Sequence, residues 1–135
     1  MVSTTRLPVD TLEGVSVQDV TALISAYLAG ARIQAGVCVI ALTGGPCALT
    51  LSESAEEELD DLLQVAREHL GEPPVAGAAR DRLDTPSSAA ASALAHTLAL
   101  PVRDGALATG SWQAILLLDA GGPARRAIDV TVVGE

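Results

Sequence analysis

Lysine, asparagine and phenylalanine are absent from this 135-residue chain, and tryptophan and tyrosine occur once each. Without lysine there is no Schiff-base amine and no phosphate-binding lysine of the P-loop type. All eight basic residues are arginines, set against 17 acidic ones, for a net charge of −9. That balance argues against nucleic acid, whose binding energy comes largely from neutralising phosphates. Two aromatic side chains cannot build a base-stacking platform. Long apolar runs are also missing. A stretch such as Ala114–Leu118 is far too short to cross a bilayer. Met1 to Thr11 has no apolar secretory core. Cys38 and Cys47 form neither a CxxC pair nor a disulfide framework. No two histidines stand at metal-ligand spacing. The chain is therefore expected to be cytoplasmic, with no membrane, nucleic-acid, metal or cofactor partner.

What is present is a core made of aliphatics. Apolar residues make up 49% of the sequence, and the length suits a single domain over 1–135. The joint scarcity of Lys, Asn, Phe, Tyr and Ile is the mark of GC-rich codon usage. Residues 4–20 read as two short strands around Glu13-Gly14, with Val15 and Val17 alternating against polar neighbours. Thr21 is expected to cap a helix carrying Leu23, Ile24, Tyr27, Leu28 and Ala31 at helical spacing. Val37–Leu42 reads as a buried strand, broken by Thr43-Gly44-Gly45-Pro46, and 48–52 as the next strand.

Ser54-Ala55-Glu56-Glu57 forms a capping box that opens the clearest helix. Its early carboxylates suit the positive helix end and otherwise form a solvated face. Leu59, Leu62, Leu63, Ala66 and Leu70 are its apolar side, and Gly71 and Pro73 end it. After a Pro/Gly/Arg-rich connection, Ser87–His96 suggests a short Ala-rich helix. Consecutive strands then follow over 97–102, 106–109, 111–119 and 126–133; Asp104-Gly105 is a hairpin signal, and Gly121-Gly122-Pro123 is a further turn. Strands at both ends with helices between them indicate an α+β fold.

Several stretches, in order along nearly the whole chain, carry a resemblance. Residues 105–117, Gly-Ala-Leu-Ala-Thr-Gly-Ser-Trp-Gln-Ala-Ile-Leu-Leu, resemble the "G-x-L-x-L-G-T-W-Q-x-I" strand pair of the YjbQ family, also called the secondary thiamine-phosphate synthase family. Gly122-Pro123 with Arg125-Arg126 is similar to that family's "D-G-P-R-x-R" turn, and Val132–Glu135 to its ending. Asp19-Val20-Thr21 matches its "D-I-T" helix entry, and Val37–Glu53 its "V-x-V-F-V-P-H-T-T-A-A-I-T-I-N-E" hairpin. The resemblance implies a β-sandwich of about seven or eight mostly antiparallel strands with two or three helices. It also implies assembly as a homotrimer, a histidine-lined pocket near a subunit boundary, and weak thiamine-phosphate synthase activity.

The departures from that pattern lie in the pocket. Gly44-Gly45-Pro46 replaces the family's His-Thr-Thr, and Asp84, Pro86 and Ser88 fall where N-x-H-x-H is aligned. Gly44, Pro86 and Ser88 cannot ligate a metal or shuttle a proton near neutral pH. The family's acidic positions persist at Glu53 and Asp119 but not at Gly121. The candidate pocket is thus Gly44, Gly45, Cys47, Glu53, Pro86, Ser88, Trp112, Gln113, Asp119 and Arg126.

Each candidate has a bland alternative. Cys47 is a nucleophile or a small core residue, and Glu53 a pocket acid or a helix-entry carboxylate. Trp112 is a packing or interface anchor, with Gln113 on the opposite face of its strand. One of Arg125 and Arg126 is expected to pair with a small anionic ligand or with an acidic residue of a neighbouring subunit, and the Gly44-Gly45 loop offers backbone N–H groups to an anion. His69 and His96 read as helix-end residues. Two functions follow. One is a non-catalytic trimeric scaffold or small-molecule-binding subunit. The other is a thiamine-phosphate synthase-like transferase using Glu53, Asp119, an arginine and Cys47.

Overall fold

The computed structural model describes residues 1–53, 56–69, 96–110 and 113–135. The alternating amino-terminal segments become β1 (Val2–Asp10) and β2 (Gly14–Asp19), followed by α1 (Thr21–Ala31). Strands β3 (Ala35–Leu42) and β4 (Cys47–Glu53) flank the Gly-Gly-Pro loop and precede α2 (Glu56–His69). The carboxy-terminal third supplies β5 (Thr97–Arg103), β6 (Ala106–Leu107), β7 (Gln113–Gly122) and β8 (Arg125–Gly134). A five-stranded sheet of order β1-β8-β3-β5-β6 faces a three-stranded sheet of order β2-β7-β4, and every pairing is antiparallel. This is the α+β sandwich expected, with eight strands and two helices among the described residues.

The period-2 pattern decides which side of each strand is buried. Cys38 and Ile40 of β3 and Ile128, Val130 and Val132 of β8 point inward from the large sheet, meeting Leu49, Ile115 and Leu117 from the small one. Ile24 and Leu28 of α1 join this core. Strand β7 is apolar on both faces because both are covered. Leu116 and Leu118 turn outward onto Leu59, Leu62 and Ala66 of α2. Each fully buried leucine here contributes about 1.5–3 kcal/mol relative to exposure.

Several sequence expectations change. Thr21 is the first residue of α1 and not its cap; Val20 holds the N-cap position, with no capping side chain. The Thr21 hydroxyl accepts the Ile115 N–H at 2.8 Å instead, tying α1 to β7. Asp19 takes over part of the capping work, accepting the Thr21 N–H at 2.9 Å. The strand expected over 106–109 spans only Ala106–Leu107. β1 and β2, adjacent in sequence, lie in different sheets, as do β7 and β8. The Asp104-Gly105 turn is as expected, with φ of 54° and 77°, the left-handed values a two-residue hairpin demands. Ser54 and Ala55 of the capping box and residues 87–95 of the Ala-rich helix lie outside the described residues. His96 is an exposed bend whose carbonyl accepts the Leu42 N–H at 2.8 Å.

Candidate functional site

The sheet register gathers polar side chains at one end of the sandwich. Ser16 of β2, Asp119 of β7 and Cys47 of β4 form one row across the small sheet, Asp119 directly opposite both of the others. All three are buried, and Asp119 is completely inaccessible to solvent. A carboxylate in such a place requires a partner. Arg126, near the start of β8, supplies it from the facing sheet. Its Nε donates to Asp119 Oδ2 at 2.6 Å and its Nη2 to Oδ1 at 3.3 Å. The Gly121 N–H donates to the same Oδ1 at 2.7 Å. The guanidinium is only 16% exposed, so this ion pair clamps the two sheets at the β7–β8 corner. The hydrogen bonds that Arg126 donates to Asp119 raise the arginine's pKa further.

Glycines make room for the clamp. A Cβ at Gly45 would lie 2.7 Å from Arg126 Nη1, and one at Gly121 would lie 2.7 Å from Pro46 Cγ and 3.2 Å from Arg126 Nη2. Gly44 and Gly45 have φ of 139° and 90°, where residues with side chains are strained. The Pro46 carbonyl accepts the Ala120 N–H at 2.9 Å, locking this loop to β7. Arg126 Nη1 makes no hydrogen bond with the described residues.

Cys47 is buried beside this pair, and its thiol donates to the Gly44 carbonyl at 3.1 Å. Burial pushes its pKa up. Arg126 pulls it part of the way back down, and Asp119 adds to the rise. Cys38, in the core, is also raised by burial. Both groups therefore favour the neutral thiol in the folded chain. Their contribution to stability is present below the unfolded thiol pKa and is lost as pH rises through the folded values. We expect stability to fall on alkaline titration, beginning near the ordinary thiol value of 9.0. Native Cys47 is expected to react with iodoacetamide at neutral pH far more slowly than the unfolded chain does. Comparable rates in mass-spectrometric time courses would contradict a protonated, shielded thiol.

Not all the expected pocket residues meet. Gly44, Gly45, Cys47, Asp119 and Arg126 do. Glu53 and Gln113 do not, since they pair with each other at the far end of β4 and β7. Glu53 lies six residue steps along β4 from Cys47, about 20 Å. Gln113 is occupied locally, its Oε1 accepting the Gly110 N–H at 2.7 Å. Pro86, Ser88 and Trp112 lie outside the described residues. Arg125, weighed beside Arg126, points to solvent and reaches Asp10 only at 3.7 Å. Ser16, Pro46 and Gly121 belong to the site but were not in the expected pocket. A shared strand register with Asp119 places Ser16 there, which one strand's sequence cannot reveal.

A family model described as "UPF0047 protein YjbQ-like" matches residues 5–135. A UPF0047 protein of Methanothermobacter thermautotrophicus is 28% identical over 137 residues, covering 99% of this chain and 94% of that protein. Another, from Archaeoglobus fulgidus, is 35% identical over 85 residues, covering 62% of this chain and 66% of its own length. Among solved structures, a YbjQ-like protein of unknown function from Sulfolobus solfataricus superposes with a TM-score of 0.83 at 23% identity, covering 100% of this chain and 99% of that one. A conserved hypothetical protein from Thermus thermophilus gives 0.72 at 27% identity, covering 96% and 99%. With the sandwich, the Gly-Pro corner and the family match running through nearly every residue, this chain belongs to the YjbQ-like UPF0047 family.

Proposed function

We propose that this chain is a non-catalytic member of its family, serving as a trimeric scaffold or small-molecule-binding subunit. The observation that carries the reading is the state of Asp119. It occupies one of the acidic positions that persist from the family pattern, yet it is wholly buried and committed to Arg126 and the Gly121 N–H. A carboxylate spent in this way is not available as a base to a substrate. Gly44, aligned with a family histidine, adopts a backbone conformation that suits glycine, and Gly45 is packed against the guanidinium. The loop is thus built around the clamp. Burial favours the neutral Cys47 thiol, and among the described residues its hydrogen-bond partner is the Gly44 carbonyl, not a base. Arg126 Nη1, without a hydrogen bond among the described residues, suits a small anionic ligand bound without covalent chemistry.

The alternative, a thiamine-phosphate synthase-like transferase, is supported by the meeting of Cys47, Asp119 and Arg126. It is weakened by the placement of Glu53 at the other end of β4. Purified protein assayed for thiamine-phosphate formation is expected to give no product above the enzyme-free background. Turnover that is lost in Cys47→Ala or Arg126→Gln would establish the transferase instead. Sedimentation is expected to give three times the chain mass of 13.7 kDa.

A further inference from the structure

We infer that the interior between the two sheets contains a binding site for one neutral hydroxyl group, formed by Ser16 Oγ and Gln18 Oε1 of β2. Both atoms are buried, and neither has a hydrogen-bond partner among the described residues. Ser16 as a whole is only 5% exposed. Folded proteins leave few buried polar atoms unsatisfied, because each one has given up water for nothing. Two such atoms on one strand call for a common partner.

The strand brings them together. Val15 and Val17 pack outward against the cluster under α2. Ser16 and Gln18 alternate with them and so face the large sheet, about 7 Å apart along the strand. Two contacts that cross between the sheets frame the pair. Arg126 reaches from β8 to Asp119, the residue opposite Ser16. Gln18 Nε2 reaches the other way and donates to the Asp10 carbonyl of β1 at 3.2 Å. Asp119 is engaged by Arg126 and the Gly121 N–H and forms no hydrogen bond with Ser16.

The chemistry of the two atoms selects the occupant. A carbonyl only accepts, so the bond to Asp10 fixes which end of the Gln18 amide is nitrogen and leaves Oε1 as an acceptor. The occupant must donate to Oε1, which a carboxylate or a halide cannot do. Cations fit no better. Both site atoms are neutral, Asp119 is already paired with Arg126, and a buried charge without a counter-charge is costly. A hard metal ion would also want about six oxygens, where the unpartnered side chains supply two. A neutral O–H group meets both demands, donating to Gln18 Oε1 and accepting from the Ser16 hydroxyl. Its source is an ordered water or the hydroxyl of a small neutral molecule.

A crystal structure of the full chain, grown without alcohols or polyols and showing ordered water, tests this directly. The expected result is an oxygen within roughly 3.2 Å of both Ser16 Oγ and Gln18 Oε1. An isolated oxygen identifies water as the source. Density continuing from it into a larger molecule identifies a small-molecule hydroxyl. An anion at this place, no density, or Ser16 Oγ turned onto Asp119 would overturn the inference.

Ser16→Ala gives a second answer in solution, by the sign of its effect. If an O–H group joins the two side chains, alanine loses a hydrogen bond and leaves that group half-satisfied. The folding equilibrium constant from urea titration is then expected to fall roughly three- to tenfold. If Ser16 Oγ is buried with no partner, alanine removes a desolvation cost instead. A constant that is unchanged or higher would overturn the site.

Discussion

Replacing Asp119 with alanine is expected to destabilise the fold by about 3–5 kcal/mol, because it leaves the largely buried Arg126 guanidinium without its counter-charge. The Gly121 N–H loses its acceptor at the same time. Arg126→Ala should be as damaging or more so, since it strands a carboxylate that water cannot reach. The informative comparison is the double replacement Asp119→Leu with Arg126→Met. Removing both charges also removes both desolvation penalties, so this variant is expected near wild-type stability or above it. Urea denaturation of Asp119→Leu, Arg126→Met and the double variant closes the cycle. If the singles cost under about 1 kcal/mol, as exposed ion pairs do, the pair is not a buried clamp. Arg6–Asp129 supplies the contrast. It has a short 2.7 Å contact, but the arginine side chain is 66% exposed, and removing it is expected to change little.

The second large effect is expected at Gly36, where β3 runs against β8. A Cβ there would lie 1.9 Å from the Val133 carbonyl oxygen and 2.8 Å from Gly134 Cα. Both obstacles are backbone, so no rotamer change relieves them. Overpacking in cores typically costs about 1–3 kcal/mol and occasionally more. Gly36→Ala is expected at or beyond the top of that range, because relief requires parting the strands. Gly30→Ala, at an open position on α1, should be neutral or slightly stabilising, since alanine is the better helix former by about 1 kcal/mol. Thermal unfolding of the two variants tests this directly. Equal melting temperatures would mean that the close approach of β3 and β8 is not a constraint.

The two substitutions mark where sequence reasoning reaches and where it stops. Strand and helix identities were legible because they rest on local periodicity. The apolar face of α2, the alternation in β2 and the left-handed Asp104-Gly105 turn need no partner to be recognised. Thr21 was misread for the complementary reason. Its hydroxyl is as suited to capping as to accepting a distant N–H, and only the arrival of β7 at Ile115 settles which. Among the candidate pocket residues, the Gly44-Gly45 loop, Cys47, Asp119 and Arg126 were named separately from the sequence, and the fold brings them together. Glu53 was added because it aligned with a family acid, but strand geometry carries it about 20 Å away.

By itself, then, the sequence determined the α+β class, the aliphatic core, the acidic surface and the absence of a lysine-dependent chemistry. These depend on composition and on spacing of a few residues. The tertiary structure alone decided that β1 and β2, and again β7 and β8, divide between two sheets. It also decided that Asp119 meets Arg126 and that two glycines admit the guanidinium. Each of these depends on which distant segments are brought into register, and a local pattern of side chains does not encode its opposite strand.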